Sequence, residues 1–532
     1  MNPGAKPTWF IGPWELSAAT AVLPPSPAAG RVLLVESTGK GSALPYHRWK
    51  LVLVLSALRH FAEELRAQGF EVDHRVAPSY AEGIRAHLAE RGPAEVIVQA
   101  PAEWGIAQSI GTLAVELAGR VRVEGDRRFL TSREAFAQWA EGRKLLRMED
   151  FYRWQRRRLG FLVDGRGEPL GGQWNLDREN RQGAKALRKR GVPAAPTRCP
   201  PDAITQRVMR MVGGARATPA GGMSFAAHWG SVDGFDLPVT RAEALAALEE
   251  FLACRFADFG PYEDAMLRGE VYLYHSRLSA AMNVGLLHPR EIVERAIARY
   301  EQGGVSLASC EGFVRQVIGW REYVNGIYWL TMPGYRAHNY FGFSRPLPQL
   351  FWEPDRTDLA CVRDSVAMVR DTAYAHHIHR LMVLSNFATL AGVHPLRLSE
   401  WFWAGFADAM EWVELPNVVG MATFGDGGLL ASKPYVSSAA YINRMSDYCG
   451  GCRYDPKQRT GPDACPFNYL YWSFLDDIRQ RKHDVGQRMA LVLKGLERIS
   501  AAELAAMREA RARFVESLAP DTTGWTFHHD QG

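Results

Sequence analysis

The chain has 532 residues, 47% hydrophobic and 23% charged. At about 150 residues per domain it has room for two or three domains, and its near-average composition excludes wholesale disorder, a collagenous repeat and a disulfide-stapled miniprotein. The net charge is only +5 but unevenly spread: Arg120–Arg158 holds twelve basic against six acidic residues, and Asp177–Arg198 seven against two. Basic stretches interleaved with Phe151, Tyr152, Trp154 and Trp174 suit a phosphate backbone with aromatic faces for bases, although a solvated helical face has the same composition. The apolar run Leu51–Leu55 falls far short of the roughly 20 residues that cross a bilayer. Met1–Gly12 lacks the basic flank, apolar stretch and small-residue cleavage site of a secretory signal, so a cytoplasmic protein is expected.

In chain order, Arg31–Glu36, Glu71–Val76, Val96–Gln99 and Val121–Val123 read as short strands. Lys50–Gln68 and Ala81–Arg91 between them carry helical periodicity. This alternation predicts a Rossmann-like α/β domain with a parallel sheet, over residues 1–130. From 131 to 239 the pattern weakens, and glycine and proline cluster at Gly165–Gly172, Gly191–Pro201 and Gly213–Gly222. This is a basic interdomain connector with some helix. Beyond it, residues 240–532 are expected to be all-α, with helices over Arg241–Phe256, Pro289–Gln302, Cys310–Tyr328, Cys361–Ala373, Ile378–Ala391, Pro466–Arg481 and Ala501–Leu518.

Seven cysteines without a secretion signal do not make a disulfide framework. Cys449-Gly-Gly-Cys452 followed by Cys465-Pro466 reads C-x2-C-x12-C-P, which brings thiolates to one metal centre. Cys361 is the choice for fourth ligand among Cys199, Cys254, Cys310 and Cys361. Spacing leaves two readings open, an iron–sulfur cluster and a four-cysteine zinc knuckle. The C-P step leans toward iron–sulfur, because proline would block a helix directly after the ligand and leave amides facing sulfide. Cys254 and Cys310 sit in apolar helical patterns and read as buried small hydrophobes.

His376, His377 and His379 fall within four residues. On a helix they fan over different faces, so proton donation to a substrate suits them better than a mononuclear metal. Downstream, Trp401-Phe402-Trp403 and Trp412 form an aromatic stripe that would ordinarily be core. Sixteen tryptophans in the chain also make electron hopping between indoles feasible, given a redox partner.

Together with Arg59-His60-Phe61, Asp126-Arg127-Arg128-Phe129-Leu130, Trp174-Asn175, Gly319-Trp320-Arg321-Glu322-Tyr323, Tyr374-Ala375-His376-His377-Ile378, Glu411–Asn417, Lys433-Pro434-Tyr435 and Tyr441–Cys449, these residues resemble the iron–sulfur bacterial cryptochromes and photolyases, the prokaryotic (6-4) photolyase family. The resemblance runs from about residue 31 to 518. It implies the photolyase/cryptochrome fold: an α/β antenna domain, a long connector, and an all-α domain holding FAD in a U shape. It also implies a [4Fe-4S] cluster on Cys361, Cys449, Cys452 and Cys465. The implied activity is light-driven repair of (6-4) pyrimidine photoproducts, in which excited reduced flavin gives an electron to a flipped-out lesion in UV-damaged DNA.

Carried onto this sequence, the resemblance places His275-Ser276-Arg277-Leu278-Ser279 at the flavin-clamping loop, leading into a helix whose N-terminal amides could meet the pyrophosphate. Arg321 matches a phosphate- or flavin-side arginine, and Gln316 and Trp320 would face the lesion. Arg380 and Asp408, 28 residues apart, match the charged pair beside the isoalloxazine and are expected on two packed helices. Glu414 stands opposite flavin N5, where many relatives carry Asn; a carboxyl there could move a proton that an amide cannot. Asn417 and Tyr435 would line the cofactor pocket. His377, with His376 beside it, is the choice for the acid that protonates the lesion. Trp401 and Trp352 resemble the photoreduction relay, with Phe402 where a tyrosine is familiar. Arg178, Arg181 and Lys185 would contact DNA phosphates, and Asp177 and Asp264 are candidates for a Mg2+ ion.

The departure lies at Phe10-Ile11-Gly12-Pro13-Trp14-Glu15-Leu16, where relatives carry Gly-Asp-Gln-Leu to hold a 6,7-dimethyl-8-ribityllumazine antenna. Glu36 and the partial basic patch His47–Lys50 survive, so an occupied pocket and an empty or altered one both remain open. Two other functions compete: a blue-light photoreceptor signalling through a protein partner, and a non-photochemical iron–sulfur nucleic-acid enzyme. A monomer is expected.

Overall fold

A computed structural model describes residues 6–214 and 227–522. The Gly213–Gly222 cluster lies outside the described residues beyond 214, as do the chain's first five and last ten positions. Five parallel strands, β1 (Thr8–Ile11), β2 (Arg31–Ser37), β3 (Glu71–Ala77), β4 (Val96–Gln99) and β5 (Val121–Glu124), form one sheet in the order β3-β2-β1-β4-β5. Apolar side chains of β2 and β4 are buried throughout, as expected of a parallel sheet covered on both faces. Helices Arg48–Ala67, Tyr80–Arg91 and Trp104–Glu116 supply the crossovers. Among the elements without a sequence signal are β1, only four residues long, and Trp104–Glu116, whose two glycines weaken its helical pattern.

Past residue 130 the named elements among the described residues are all helical. The connector holds helices Arg133–Ala140, Met148–Leu159, Ala184–Arg190 and Ala203–Gly213. The first two pack against the helix predicted over Cys310–Tyr328, through Phe136, Trp139, Phe151 and Tyr323. That helix runs from Leu307 to Thr331 and is widened into a π turn over Arg315–Arg321. Two more π turns occur, His379–Ser385 leading into helix Asn386–Ala391 and Pro416–Ala422 ending helix Glu411–Leu415. Residues of all three π turns line one cavity. A π turn inserts a residue into the helical repeat and re-aims side chains, and is common at functional sites.

The sheet domain and helical region are joined by buried polar contacts. Ser17 and Thr20 hydroxyls both donate to the Gly285 carbonyl at 2.6 Å. The Tyr328 hydroxyl accepts from the Trp104 amide at 2.8 Å and donates to Glu411 at 2.6 Å. Lys50 Nζ, buried, donates to the Trp403 carbonyl at 2.6 Å, capping the end of helix Pro395–Gly405. No helix among the described residues is long and apolar enough to cross a membrane.

Candidate active site

A cavity of about 1400 Å³ opens in the helical region. At its floor, Arg380 Nη1 and Nη2 meet the Asp408 carboxylate at 3.1 and 3.0 Å. The Ser279 hydroxyl donates to Asp408 at 2.6 Å, and Asn283 Nδ2 donates to its backbone carbonyl at 2.7 Å. Burial would raise the Asp408 carboxyl, but Arg380 and Ser279 hold it below the usual range. Arg380 sits on a π turn as expected of a helical residue, whereas Asp408 lies in the turn after helix Pro395–Gly405, not on a helix. The helix following the clamp loop spans only Ser279–Asn283, with Ser279's hydroxyl on Asp408. Five residues give only a weak dipole, so an anion there would rest on individual backbone amides and not on a helix field.

Glu414 lines the same cavity and is 5% exposed. Burial pushes its carboxyl up to about 7, with Arg380 and Lys50 only partly opposing. Asn417 also lines it, its side-chain amide donating back to the Val413 carbonyl at 2.8 Å. Tyr435 and Gln316 are on the wall as well. In the clamp loop, Arg277 takes a left-handed φ of +56° and pairs with buried Asp236 at 2.6 Å. Its neighbour Leu278 is 2% exposed and packs in the core instead of lining the cavity. Arg321 is stacked on Phe129 at 4.2 Å and Trp412 at 5.2 Å. It donates to the Arg128 carbonyl at 3.2 Å, and its Nε has no hydrogen-bond partner among the described residues.

The histidines form one wall. His376 precedes the helical segment instead of riding on it, which lets His275 stack on it at 4.3 Å and 12°. The Ile378 amide donates to His376 Nδ1 at 3.4 Å, so the ring proton is on Nε2. That N–H is buried without a partner among the described residues. Burial, with His379 and His275 beside it, holds His376 far below the ordinary imidazole range, and it is neutral. His377 is half exposed and meets Asp264 at 3.4 Å. His275, His376 and His377 bring ligand-capable atoms within 4.8 Å of one another. An imidazole binds a metal in its ring plane, and two stacked, parallel rings cannot share one ion, so the wall suits proton and hydrogen-bond chemistry. Behind it, His379 is buried against the Tyr448 hydroxyl at 3.1 Å.

Arg178 and Arg181 line the cavity mouth with Asp177 and Asp264; Lys185 lies outside it on helix Ala184–Arg190. Asp177 pairs with both Arg181 and Arg315, which hold its carboxyl low against the effect of burial. With two guanidiniums on it, Asp177 is poorly available to a divalent cation. The sequence reading missed Arg444 and Glu263, also on the wall, Glu263 buried with Oε2 lacking a partner among the described residues. It also missed Trp229. Trp401 and Trp352 lie outside the cavity lining; Phe402, which lines it, meets Trp401 at 5.1 Å, and Trp229 touches both tryptophans.

Away from the cavity, Cys361 begins helix Ala360–Thr372, Cys449 sits in the turn Tyr448–Gly451, Cys452 follows it, and Cys465 caps helix Pro466–Arg481. Burial and the neighbouring sulfurs raise the Cys361 thiol well above its usual range, and they push Cys465 to about 12. Pro466 starts a helix instead of blocking one, since its missing N–H costs nothing at the first position. The Phe467 and Asn468 amides face Cys465 and favour its thiolate. Cys310 is buried as expected, but Cys254, at the end of helix Arg241–Cys254, is exposed. In the sheet domain, Glu36 takes Arg59 at 2.8 and 3.0 Å and His74 at 2.9 Å. Against its burial, these hold it down to about 2. Trp14 is 2% exposed and packs edge-on to Tyr80 at 5.7 Å, close against Gly12.

The deoxyribodipyrimidine photo-lyase-related protein family matches residues 10–237. A (6-4) photolyase of Agrobacterium fabrum strain C58 is 42% identical over 456 residues, 85% of this chain and 87% of that one. A bacterial class III photolyase from Agrobacterium tumefaciens, of known crystal structure, shares the fold with a TM-score of 0.56 at 14% identity over 96% of this chain and 98% of that one. Parallel sheet, helical region and near-full-length identity agree: the chain belongs to the (6-4) photolyases of the bacterial photolyase-related family.

Proposed function

We propose that this protein is a lyase that uses light to reverse (6-4) pyrimidine photoproducts in DNA, with FAD in the helical cavity. The observation that carries this reading is the convergence on one cavity of the Arg380–Asp408 pair, Glu414 and the His376–His377 wall, with Arg178 and Arg181 at its mouth. The donor set fits a flavin. A fixed ion pair, a carboxyl titrating near neutrality and the unpartnered Nε of Arg321 offer polar contacts in an otherwise apolar enclosure. Bound there, reduced FAD supplies the light-driven electron.

The chain's own residues do the rest. Arg380, held by Asp408, keeps a fixed positive charge beside the cofactor without reorganising when charge moves. Glu414 changes protonation near pH 7 and so can hold or release a proton toward N5. His377, at the cavity wall and 3.4 Å from Asp264, is the acid toward the lesion. His376, neutral, offers its Nε2–H as a hydrogen-bond donor to the extruded base. Arg178 and Arg181 hold phosphates beside the extruded nucleotide, and Lys185 extends that surface.

Cys361, Cys449, Cys452 and Cys465 would hold a [4Fe-4S] cluster. A tetrahedral zinc site at 2.3 Å bond length would bring its sulfurs to about 3.8 Å from each other. Among the described residues no three of these sulfurs lie within 4.8 Å of one another, which favours the multi-iron reading over a single tetrahedral zinc. The antenna site is read as altered. Both Glu36 oxygens are already bound, and Trp14 fills the space beside Gly12. The test is blue-light illumination of the reduced protein with a duplex containing one synthetic (6-4) photoproduct. Restoration of the pyrimidines in light and not in darkness supports the reading; flavin-loaded protein that restores none overturns it.

A further inference from the structure

We propose that Trp229 is the outlet to solvent of an electron relay that starts at Trp401; this rests on the reading of the cavity as a flavin site. Trp401 is 1% exposed, so no reductant in solution can reach it. Its ring lies 5.1 Å from Phe402 on the cavity wall and 6.3 Å from Trp229, whose ring lies edge-on to Trp352 at 5.3 Å. Trp229 is the indole that touches both residues singled out from the sequence, and it is only partly buried.

The ring is also held still, which a relay at fixed separations requires. Its Nε1–H donates to the Trp352 carbonyl at 3.3 Å. Its backbone amide donates to the Tyr46 carbonyl at 3.2 Å, and its carbonyl accepts from the Arg48 amide at 2.9 Å. His47 packs edge-on to the ring at 5.7 Å and is fixed by the Arg370 carbonyl at 2.7 Å. Trp229 is thus clamped between the sheet domain and the helical region. Its indole N–H is held by a backbone carbonyl and not by a carboxylate.

The electrons balance as follows. Trp401 gives one electron across Phe402 to the light-excited oxidised flavin, and Trp229 gives one to Trp401. A small thiol in solution gives one to Trp229, releases a proton to water and becomes a thiyl radical, two of which couple to a disulfide. The net change is one electron from the thiol to the flavin.

Flavin-loaded protein, its flavin content and circular dichroism measured first, is flashed with blue light at low thiol concentration and followed by transient absorption. A second sample is illuminated at length without thiol, and its peptides are mapped for oxidised tryptophan. The wild type is expected to give a long-lived tryptophanyl radical and oxidation at Trp229. Trp229→Phe is expected to lose the long-lived radical and the build-up of photoreduced flavin, and Trp229→Tyr, whose phenol can carry the electron, to restore part of both. A Trp229→Phe protein with the wild-type radical lifetime, or wild-type oxidation found at Trp352 and not at Trp229, would overturn the assignment. If Trp229→Phe fails to fold, the wild-type oxidation map still decides. Folded protein without flavin sinks the cavity reading itself, before any flash.

Discussion

Glu414→Gln keeps the size of the side chain and removes its proton equilibrium. Glu414 titrates in an unfolded chain near 4.5 and in the fold near 7. The shift of about 2.5 units is worth about 3.4 kcal/mol between protonated and ionised forms. Because the folded value is the raised one, this contribution to stability is fully present below about pH 4.5 and is lost as pH climbs to about 7. Integrating the linkage from about pH 5 to about pH 8 gives a loss of about 2.5 kcal/mol in the wild type that the Gln variant cannot suffer. Lys50, which burial pulls down to about 7, titrates in the same window in both proteins; only its coupling to Glu414 differs between them, and that part belongs to the effect measured. Urea unfolding of both proteins at the two pH values reads the difference. The stability of Glu414→Gln relative to wild type should rise by that amount between the acidic and the alkaline condition. An infrared titration should show a protonated-carboxyl band in the wild type that fades through neutrality and is missing from the variant. A stability gap that stays constant with pH, or no such band, would refute the burial argument.

His377→Asn is expected to keep flavin and lose repair by the roughly 10²–10⁴-fold typical of general-acid removal; a variant repairing at the wild-type rate would move the acid elsewhere. Replacing Arg178 and Arg181 together by Ala should lower the slope of log affinity against log salt by up to about 2, since each phosphate contact contributes about 0.9. An unchanged slope would take both arginines off the DNA. Cys465→Ser should yield little soluble protein and no cluster absorbance, because a buried ligand at a helix N-terminus is lost. Soluble, coloured Cys465→Ser protein would count against ligation by that thiol.

The sheet domain was legible because β-branched, fully apolar runs such as Val32–Val35 admit little besides a buried parallel strand. β1 was not, since Thr-Trp-Phe-Ile is too short to carry a period. In the helical region, element positions followed from periodicity, but the π turns did not. A single inserted residue shifts the register of the apolar stripe without breaking it, so Cys310–Tyr328 reads as one regular helix. Those same turns aim Arg321, Arg380 and Asn417 into the cavity, which is why composition and spacing alone gave these residues no role. The ion pair of Arg380 and Asp408 was anticipated by resemblance, while the turn that holds Asp408 was not. Glu263 and Trp229 had no local signal at all. Each is placed by contacts with residues far away in sequence: Trp229 by Tyr46, Arg48 and Trp352, and Glu263 by the closure of the cavity wall. The proposed cysteine ligands are legible because thiols at that spacing have few other uses, whereas the helix start at Pro466 runs against the simplest expectation for a C-P pair.

The measurement that bears most directly on this account is the chromatographic identification and quantification of small molecules released from purified, folded, cluster-bearing protein. The account predicts one FAD per chain and no ribityllumazine. Folded protein that carries its cluster and releases no flavin would contradict it.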